Sequence, residues 1–145
     1  MSPEEKNWSV RIIREFPDAL CREAAELFAD ASWIASAEEG AFLKSALAGS
    51  CAVAGAFSGE RLIGIARSLS DGVSDAYIQD VTVLKTMRGR GIGAELVNVL
   101  VSELESRGID WIGLVGVPGT EKFYASLGFE AQQGYTLWLK HGQKK

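Results

Sequence analysis

The sequence predicts an α/β fold: a mixed, mostly antiparallel sheet of about seven strands with a central parallel pair and four helices, in one domain covering residues 1–145. Three observations carry this expectation. First, the β-branched run Val81-Thr82-Val83 suits an extended strand, and a helical period follows it, with Leu96, Leu100 and Leu104 at intervals of four and Val97 and Val101 beside them. Second, the next apolar run, Trp111 to Gly116, completes a strand–helix–strand crossover, whose length gives a parallel, right-handed pair. Third, Ala52–Phe57 and Leu62–Leu69 read as strands joined by Ser58-Gly59-Glu60-Arg61, a hairpin connection, so the sheet begins antiparallel.

The remaining elements follow in order. Trp8 to Ile13 alternates and fits an opening strand. Pro17-Asp18 starts a helix, because proline is accepted at or just before a first turn, and Leu20, Ala24, Leu27 and Phe28 give that helix an apolar face. A second helix is expected from Glu38 to Leu47, with Phe42, Leu43 and Leu47 inward and Gly49 at its end. Gly64, inside a strand, marks a bulge or a close backbone approach, and Asp71-Gly72 turns the chain into the strand Ala76–Leu84. Gly108 should stop the long helix from the position just past its C-cap. Thr120 is the expected N-cap of a short helix, Glu121 to Leu127, that Gly128 ends. Phe129–Ala131 and Tyr135–Lys140 are expected to close the sheet as a strand pair around Gly134.

Composition sets outer limits. A chain of 145 residues buries about 68–70% of its unfolded surface, enough for one core. Apolar content of 47% and charged content of 23% are those of an ordinary globular protein, and a net charge of −4 argues against a non-specific grip on nucleic acid. Cys21 and Cys51 lack metal or redox spacing and read as reduced thiols. Met1 to Lys6 carries Glu4 and Glu5 in place of a basic leader, and no apolar run is long enough to span a membrane. The expectation is therefore a cytoplasmic protein without membrane contact or bound metal.

The chemistry gathers at Arg88-Gly89-Arg90-Gly91-Ile92-Gly93, between the β-branched strand and the long helix. Glycines at a strand-to-helix turn let the backbone approach another group closely, and the first amides of a helix have no partner of their own. With the positive end of the helix dipole they form a site for phosphate, to which Arg88 and Arg90 add charged donors. Gly89-x-Gly91-x-x-Ala94 also fits a loose dinucleotide fingerprint. That pattern needs an acidic residue at the end of the next strand, and the strand Trp111–Gly116 ends without one. No Gly-Lys-Ser/Thr follows either, which excludes a phosphate-loop NTPase. A glycine-rich connection without a ligand is the bland alternative.

Arg88-x-x-Gly91-x-Gly93 after an apolar strand resembles the acetyl-CoA signature (Gln/Arg-x-x-Gly-x-Gly/Ala) of the GCN5-related N-acetyltransferases, the GNAT family. Phe123-Tyr124-Ala125-Ser126-Leu127-Gly128-Phe129 resembles the same family's later Phe-Tyr-x-x-x-Gly-Phe element, and the order βααβββαβαββ is the order the family shows. The resemblance covers roughly residues 51 to 140 in detail and the first fifty in pattern only.

What the resemblance implies is an acyl-CoA N-acyltransferase fold moving an acetyl group from acetyl-CoA, as co-substrate, to a primary amine of a small molecule or protein. The amides from Gly89 to Ala94, through Arg90, Gly91, Ile92 and Gly93, would hold the pyrophosphate. Main-chain groups of Val81, Thr82 and Val83 would face the thioester and the pantetheine arm, on a strand implied to splay from its parallel neighbour. Tyr124 stands where the family has its general acid, and otherwise would simply pack between helix and sheet. The family's strand glutamate falls at Tyr77. Asp80, the only carboxylate on the strand Ala76–Leu84, either acts as base through a water or hydrogen-bonds backbone or Arg67. Pro118 replaces an asparagine that contacts the cofactor in relatives, and His141 lies in a charged tail. Trp33, in the apolar connection Ala31–Ser36, packs on the core or walls the substrate pocket. Many relatives form homodimers, which the apolar run Tyr135–Leu139 permits. A non-catalytic acyl-CoA-binding regulatory module is the alternative function.

Overall fold

Alternation along the strands decides where the core sits. In the computed structural model, which describes residues 6–142, β1 (Ser9–Ile13), β2 (Ala52–Ser58), β3 (Arg61–Ser70), β4 (Asp75–Val83) and β5 (Trp111–Leu114) lie side by side in that order. Neighbours are antiparallel up to β4, and β4 and β5 are parallel. One face presents Ala52, Ala54, Ala56, Ala66 and Ala76, all buried. Such small side chains let α3 (Ile92–Ser106) settle close to the sheet, with Leu96, Val97, Leu100 and Leu104 fully inside. The other face presents Val53, Phe57, Leu62 and Ile65 to α1 (Asp18–Asp30) and α2 (Leu43–Ala48), which contribute Leu27, Phe28, Leu43 and Leu47. Each such buried leucine contributes about 1.5–3 kcal/mol relative to an exposed one. A short fourth helix, α4 (Glu121–Ser126), follows β5.

Two extra residues shape the sheet. Between Ala56↔Gly64 and Phe57↔Leu62 the pairing shifts by one residue, so a bulge lies at Ile63, next to the glycine expected to mark it. Gly64 is also a close approach: a Cβ there would stand 3.0 Å from Leu96 Cδ1 and 3.2 Å from the Thr82 carbonyl. The second shift, between Ile65↔Thr82 and Arg67↔Gln79, puts the extra residue in β4, where Asp80 has a left-handed φ of 56°. β4 and β5 pair only from Asp75↔Trp111 to Ile78↔Leu114. Residues 79–83 therefore run on past the end of β5, and the two strands part there.

The sequence expectations need four corrections. The described residues hold five strands rather than about seven, because 129–131 and 135–140 form none. A strand exists only where a neighbour completes its ladder, and Tyr135 and Trp138 instead lie 83% and 86% exposed. The parallel pair consequently sits at the edge of this sheet and not at its centre. The helix expected from Glu38 to Leu47 is split into a 3-10 turn, Ala37–Gly40, and α2, which leaves Phe42 half exposed while Leu43 and Leu47 stay buried. Thr120 does precede α4, but its hydroxyl donates backwards to the Val117 carbonyl at 2.6 Å and caps no helix amide. The leader expectation for Met1–Lys6 lies almost wholly outside the described residues. No described helix is long and apolar enough to cross a membrane.

Gly40, the last residue of the 3-10 turn, packs tightly against α1. A Cβ at Gly40 would stand 2.4 Å from Ala25 Cβ, although the backbone there suits any residue. Gly40→Ala should therefore lower stability by about 1–3 kcal/mol through overpacking alone, read as a shifted denaturation midpoint with an unchanged m-value.

Candidate active site

Where β4 and β5 part, a cleft of about 590 Å³ opens between the end of β4, the turn into α3, α4 and the segment after α1. Val81, Thr82 and Val83 of β4 line it. Past Leu84 the chain makes a single 3-10 turn, Lys85–Met87, and Arg88 Nε returns 3.0 Å to the Val83 carbonyl. That bond closes the loop on itself and keeps the guanidinium at the cleft wall.

Gly91 sits at the N-terminal boundary of α3 with φ of 84°, a left-handed conformation that costs an ordinary residue roughly 1–2 kcal/mol. The first helical bond runs from Glu95 N–H to the Gly91 carbonyl, so the amides of Ile92, Gly93 and Ala94 are left over by the helix. No side chain caps them. These amides border the cleft, at the positive end of a 15-residue helix. A Cβ at Gly93 would make ordinary van der Waals contact with Phe123 Cζ, at 3.4 Å, so this position has room for a small side chain.

Tyr124 is positioned by the way its helix ends. Phe129 N–H reaches back to the Tyr124 carbonyl at 3.1 Å and Gly128 N–H to the Ala125 carbonyl at 3.1 Å, with Gly128 at φ 91°. This is a Schellman C-cap, in which a left-handed residue is followed by an apolar one that packs back onto the last turn. The Phe129 ring accordingly meets the Tyr124 ring edge-on at 6.0 Å, and Phe123 meets it at 4.9 Å. The Tyr-x-x-x-Gly-Phe spacing is thus the spacing of the cap. Half-burial pushes the Tyr124 phenol above its ordinary value, so it keeps its proton at neutral pH.

Trp33 is fixed by the same device at the end of α1. Its N–H bonds to the Phe28 carbonyl at 2.9 Å, Ser32 N–H bonds to the Ala29 carbonyl at 3.0 Å, and Ser32 has φ of 63°. The indole stands edge-on to Phe28 at 5.0 Å and lines the cleft beside Ala31.

Of the residues singled out from sequence, Trp33, Val81, Thr82, Val83, Arg88, Gly89, Gly91, Ile92, Gly93, Ala94 and Tyr124 border this one cleft. Three do not. Arg90 is exposed and is not part of the cleft lining. Tyr77 faces away from the α3 side, half exposed, with its ring against Trp111 at 5.2 Å. Asp80 Oδ2 accepts from Arg67 Nε at 2.7 Å, and the two side chains are only 4% and 14% exposed. Of the two roles open to Asp80, the geometry is that of the hydrogen bond to Arg67. Ala31, Met87 and Val117 line the cleft without having been expected; being ordinary apolar residues, they carry no sequence signal that separates a wall from a core.

Comparison with known proteins decides the family. The model of the Acetyltransferase (GNAT) family matches residues 13–129. The chain belongs to the GNAT family. Among similar GNAT relatives, an uncharacterized ycf52-like N-acetyltransferase of Prochlorococcus marinus is 39% identical over 77 residues, 53% of this chain and 39% of its own. Histone acetyltransferase TAP1 of Glycine max is 42% identical over 72 residues, 50% of this chain and 31% of its own. Serotonin N-acetyltransferase 2 of Oryza sativa is 36% identical over 72 residues, 50% of this chain and 36% of its own. The chain thus spans well under half the length of the curated relatives it matches. Among solved structures, a GNAT protein of Streptococcus pneumoniae superposes with TM-score 0.74 at 23% identity, covering 93% of this chain and 99% of that one. Aminoglycoside N-acetyltransferase AAC(6')-Iy in complex with CoA superposes with TM-score 0.74 at 15% identity, covering 98% and 100%. These two likenesses are of fold.

The raised phenol has a measurable consequence. A Tyr124→Phe difference titration, followed by phenolate absorbance, should show the lost group ionising above the ordinary tyrosine range. Because its folded value lies above its unfolded one, this group's stabilisation is intact below the ordinary phenol range and is lost as pH rises through the raised value. Wild type should therefore lose stability relative to Tyr124→Phe only as the pH becomes alkaline.

Proposed function

We propose that this chain is a GNAT-type domain that transfers acetyl from acetyl-CoA to a primary amine. The observation that carries the reading is the convergence, in one cleft, of the spare amides of α3, the run of β4 beyond the end of β5 and a protonated phenol. Those three meet the needs of the reaction: an anion site for the pyrophosphate, main-chain groups for the thioester, and an acid for the leaving sulfur.

In the proposed mechanism the α3 amides, with Arg88 at the wall, hold the diphosphate. The β4 edge from residue 81 to 83, past the last pairing with β5, hydrogen-bonds the pantetheine arm as an added strand would. A main-chain N–H of this stretch donates to the thioester oxygen as the amine nitrogen attacks the carbonyl carbon. The C–N bond forms, the C–S bond breaks with its electron pair on sulfur, and Tyr124 Oη–H protonates the thiolate. The nitrogen's surplus proton leaves to solvent water, which also restores the phenol. Asp80 takes no part as base in this scheme; its ion pair with Arg67 holds the bulge.

The acceptor is a primary amine on a small molecule or a protein. Relatives named for serotonin and for histones represent both kinds. The exposed apolar run from Tyr135 to Leu139 supports a homodimer. A second reading, an acyl-CoA-binding module without turnover, draws support from the absence of any carboxylate among the described residues that line the cleft.

Thiol release in the presence of a mixed amine panel separates the two readings: the transferase releases free CoA, and the binding module binds CoA in calorimetry but releases none. Tyr124→Phe should lower kcat by about 10²-fold or more while the CoA dissociation constant moves by no more than about twofold. Wild-type turnover in that variant would remove Tyr124 from the mechanism.

A further inference from the structure

Asp30 is the last residue of α1, and it stands against the helix. Carboxylates are unfavourable near the negative end of a helix dipole, and the last turn of α1 holds no basic residue to offset this one. Its Oδ2 instead accepts the backbone N–H of Lys85 at 2.9 Å, across 55 residues of sequence. Lys85 opens the 3-10 turn that delivers Met87, Arg88 and Gly89 to the cleft. Asp30 therefore caps the turn that begins the donor loop.

Immediately after Asp30 the chain enters the left-handed Ser32 and the cap that fixes Trp33 on Phe28. Trp33, with Ala31, is the part of the cleft wall contributed from outside the α3 half of the molecule. Two walls on different elements thus meet at one carboxylate: the α1 end with Trp33 on one side, and the donor loop on the other. We propose that Asp30 is a positioning residue that couples the donor loop to the Trp33 wall, so that filling the anion site at α3 tightens the segment 31–36. The inference rests on the acetyl-CoA reading of the cleft. Coupling of this kind needs a shared element that both sites bias, and the Asp30–Lys85 bond is that element.

The predicted pattern separates coupling from mere support. With the full chain, CoA binding should slow amide exchange in residues 31–36 of the wild type and of Asp30→Asn, whose side-chain oxygen still accepts the Lys85 N–H. In Asp30→Ala the CoA dissociation constant should rise about tenfold, the scale of one lost hydrogen bond to a charged group, and CoA should no longer protect residues 31–36. Thermal melts confirm that each variant is folded at the assay temperature. If Asp30→Ala binds CoA with wild-type affinity and protects 31–36 equally, the coupling is wrong while the acetyl-CoA reading stands. The coupling is equally wrong if Asp30→Asn fails to restore what Asp30→Ala loses. If the wild type takes up no CoA, the reading of the cleft falls and the coupling falls with it.

Discussion

The site depends on a strand that is forced to leave its neighbour. β4 pairs with β5 for four residues and then carries one residue too many for its ladder with β3, at Asp80. An aspartate in the left-handed region is tolerated more readily than most side chains, yet it still costs free energy. The compensation is the ion pair with Arg67, on the strand opposite the bulge. Removing one partner of such a buried pair typically costs about 3–5 kcal/mol, because the other charge is left unanswered. The same carboxylate that looks like a candidate base in sequence is thus engaged with Arg67 at the bulge, in the stretch of β4 that runs on past its pairing with β5.

Around the cleft, side chains are aimed by helix endings more than by helix bodies. α1, α3 and α4 end in the same hydrogen-bond pattern, with Ser32, Gly108 and Gly128 in left-handed geometry and Trp33, Ile109 and Phe129 folding back. Ile109 goes to the core, while Trp33 and the Tyr124–Phe129 pair go to the cleft. A C-cap fixes both the residue that follows a helix and the residue three places before its end. This explains how α4, only six residues long and without buried side chains, can still hold a tyrosine in a defined place.

The parts of this molecule that were legible in sequence are those whose cause is local. The hairpin around Gly59, the crossover through α3, the Gly108 stop and the glycine turn all follow from periodicity and left-handed glycine positions, and they stand within a residue or two of where they were expected. What was not legible is tertiary. Phe42 has helical spacing with Leu43 and Leu47, but Gly40 must touch Ala25, and the helix breaks where that contact is made. Tyr135 to Leu139 is an apolar, strand-like run, and composition cannot supply the neighbour a strand needs. At the site, the glycine signature located the α3 end of the cleft, yet it could not say that Arg90 stays outside the cleft lining while Arg88 turns back to Val83. The signal in Asp30, an acidic residue at the wrong end of a helix, was present in the sequence and readable only once α1 had an end.

The two halves of the cleft differ in what evolution can change. In the proposed reading the donor side would be built from main-chain groups: the amides of Ile92 to Ala94, the edge of β4, and glycines in left-handed geometry at 89 and 91. Such a site tolerates side-chain replacement where the backbone conformation is kept, since the groups that bind are those every residue has. The acceptor side, in the same reading, would be made of particular side chains, with Trp33 the largest of them, held on the segment that follows α1. A site divided in this way can keep one donor while its acceptor changes. For that exchange to preserve catalysis, the variable wall must stay in register with the fixed one, and a hydrogen bond from a backbone N–H to a carboxylate sets that register whichever side chains line the wall.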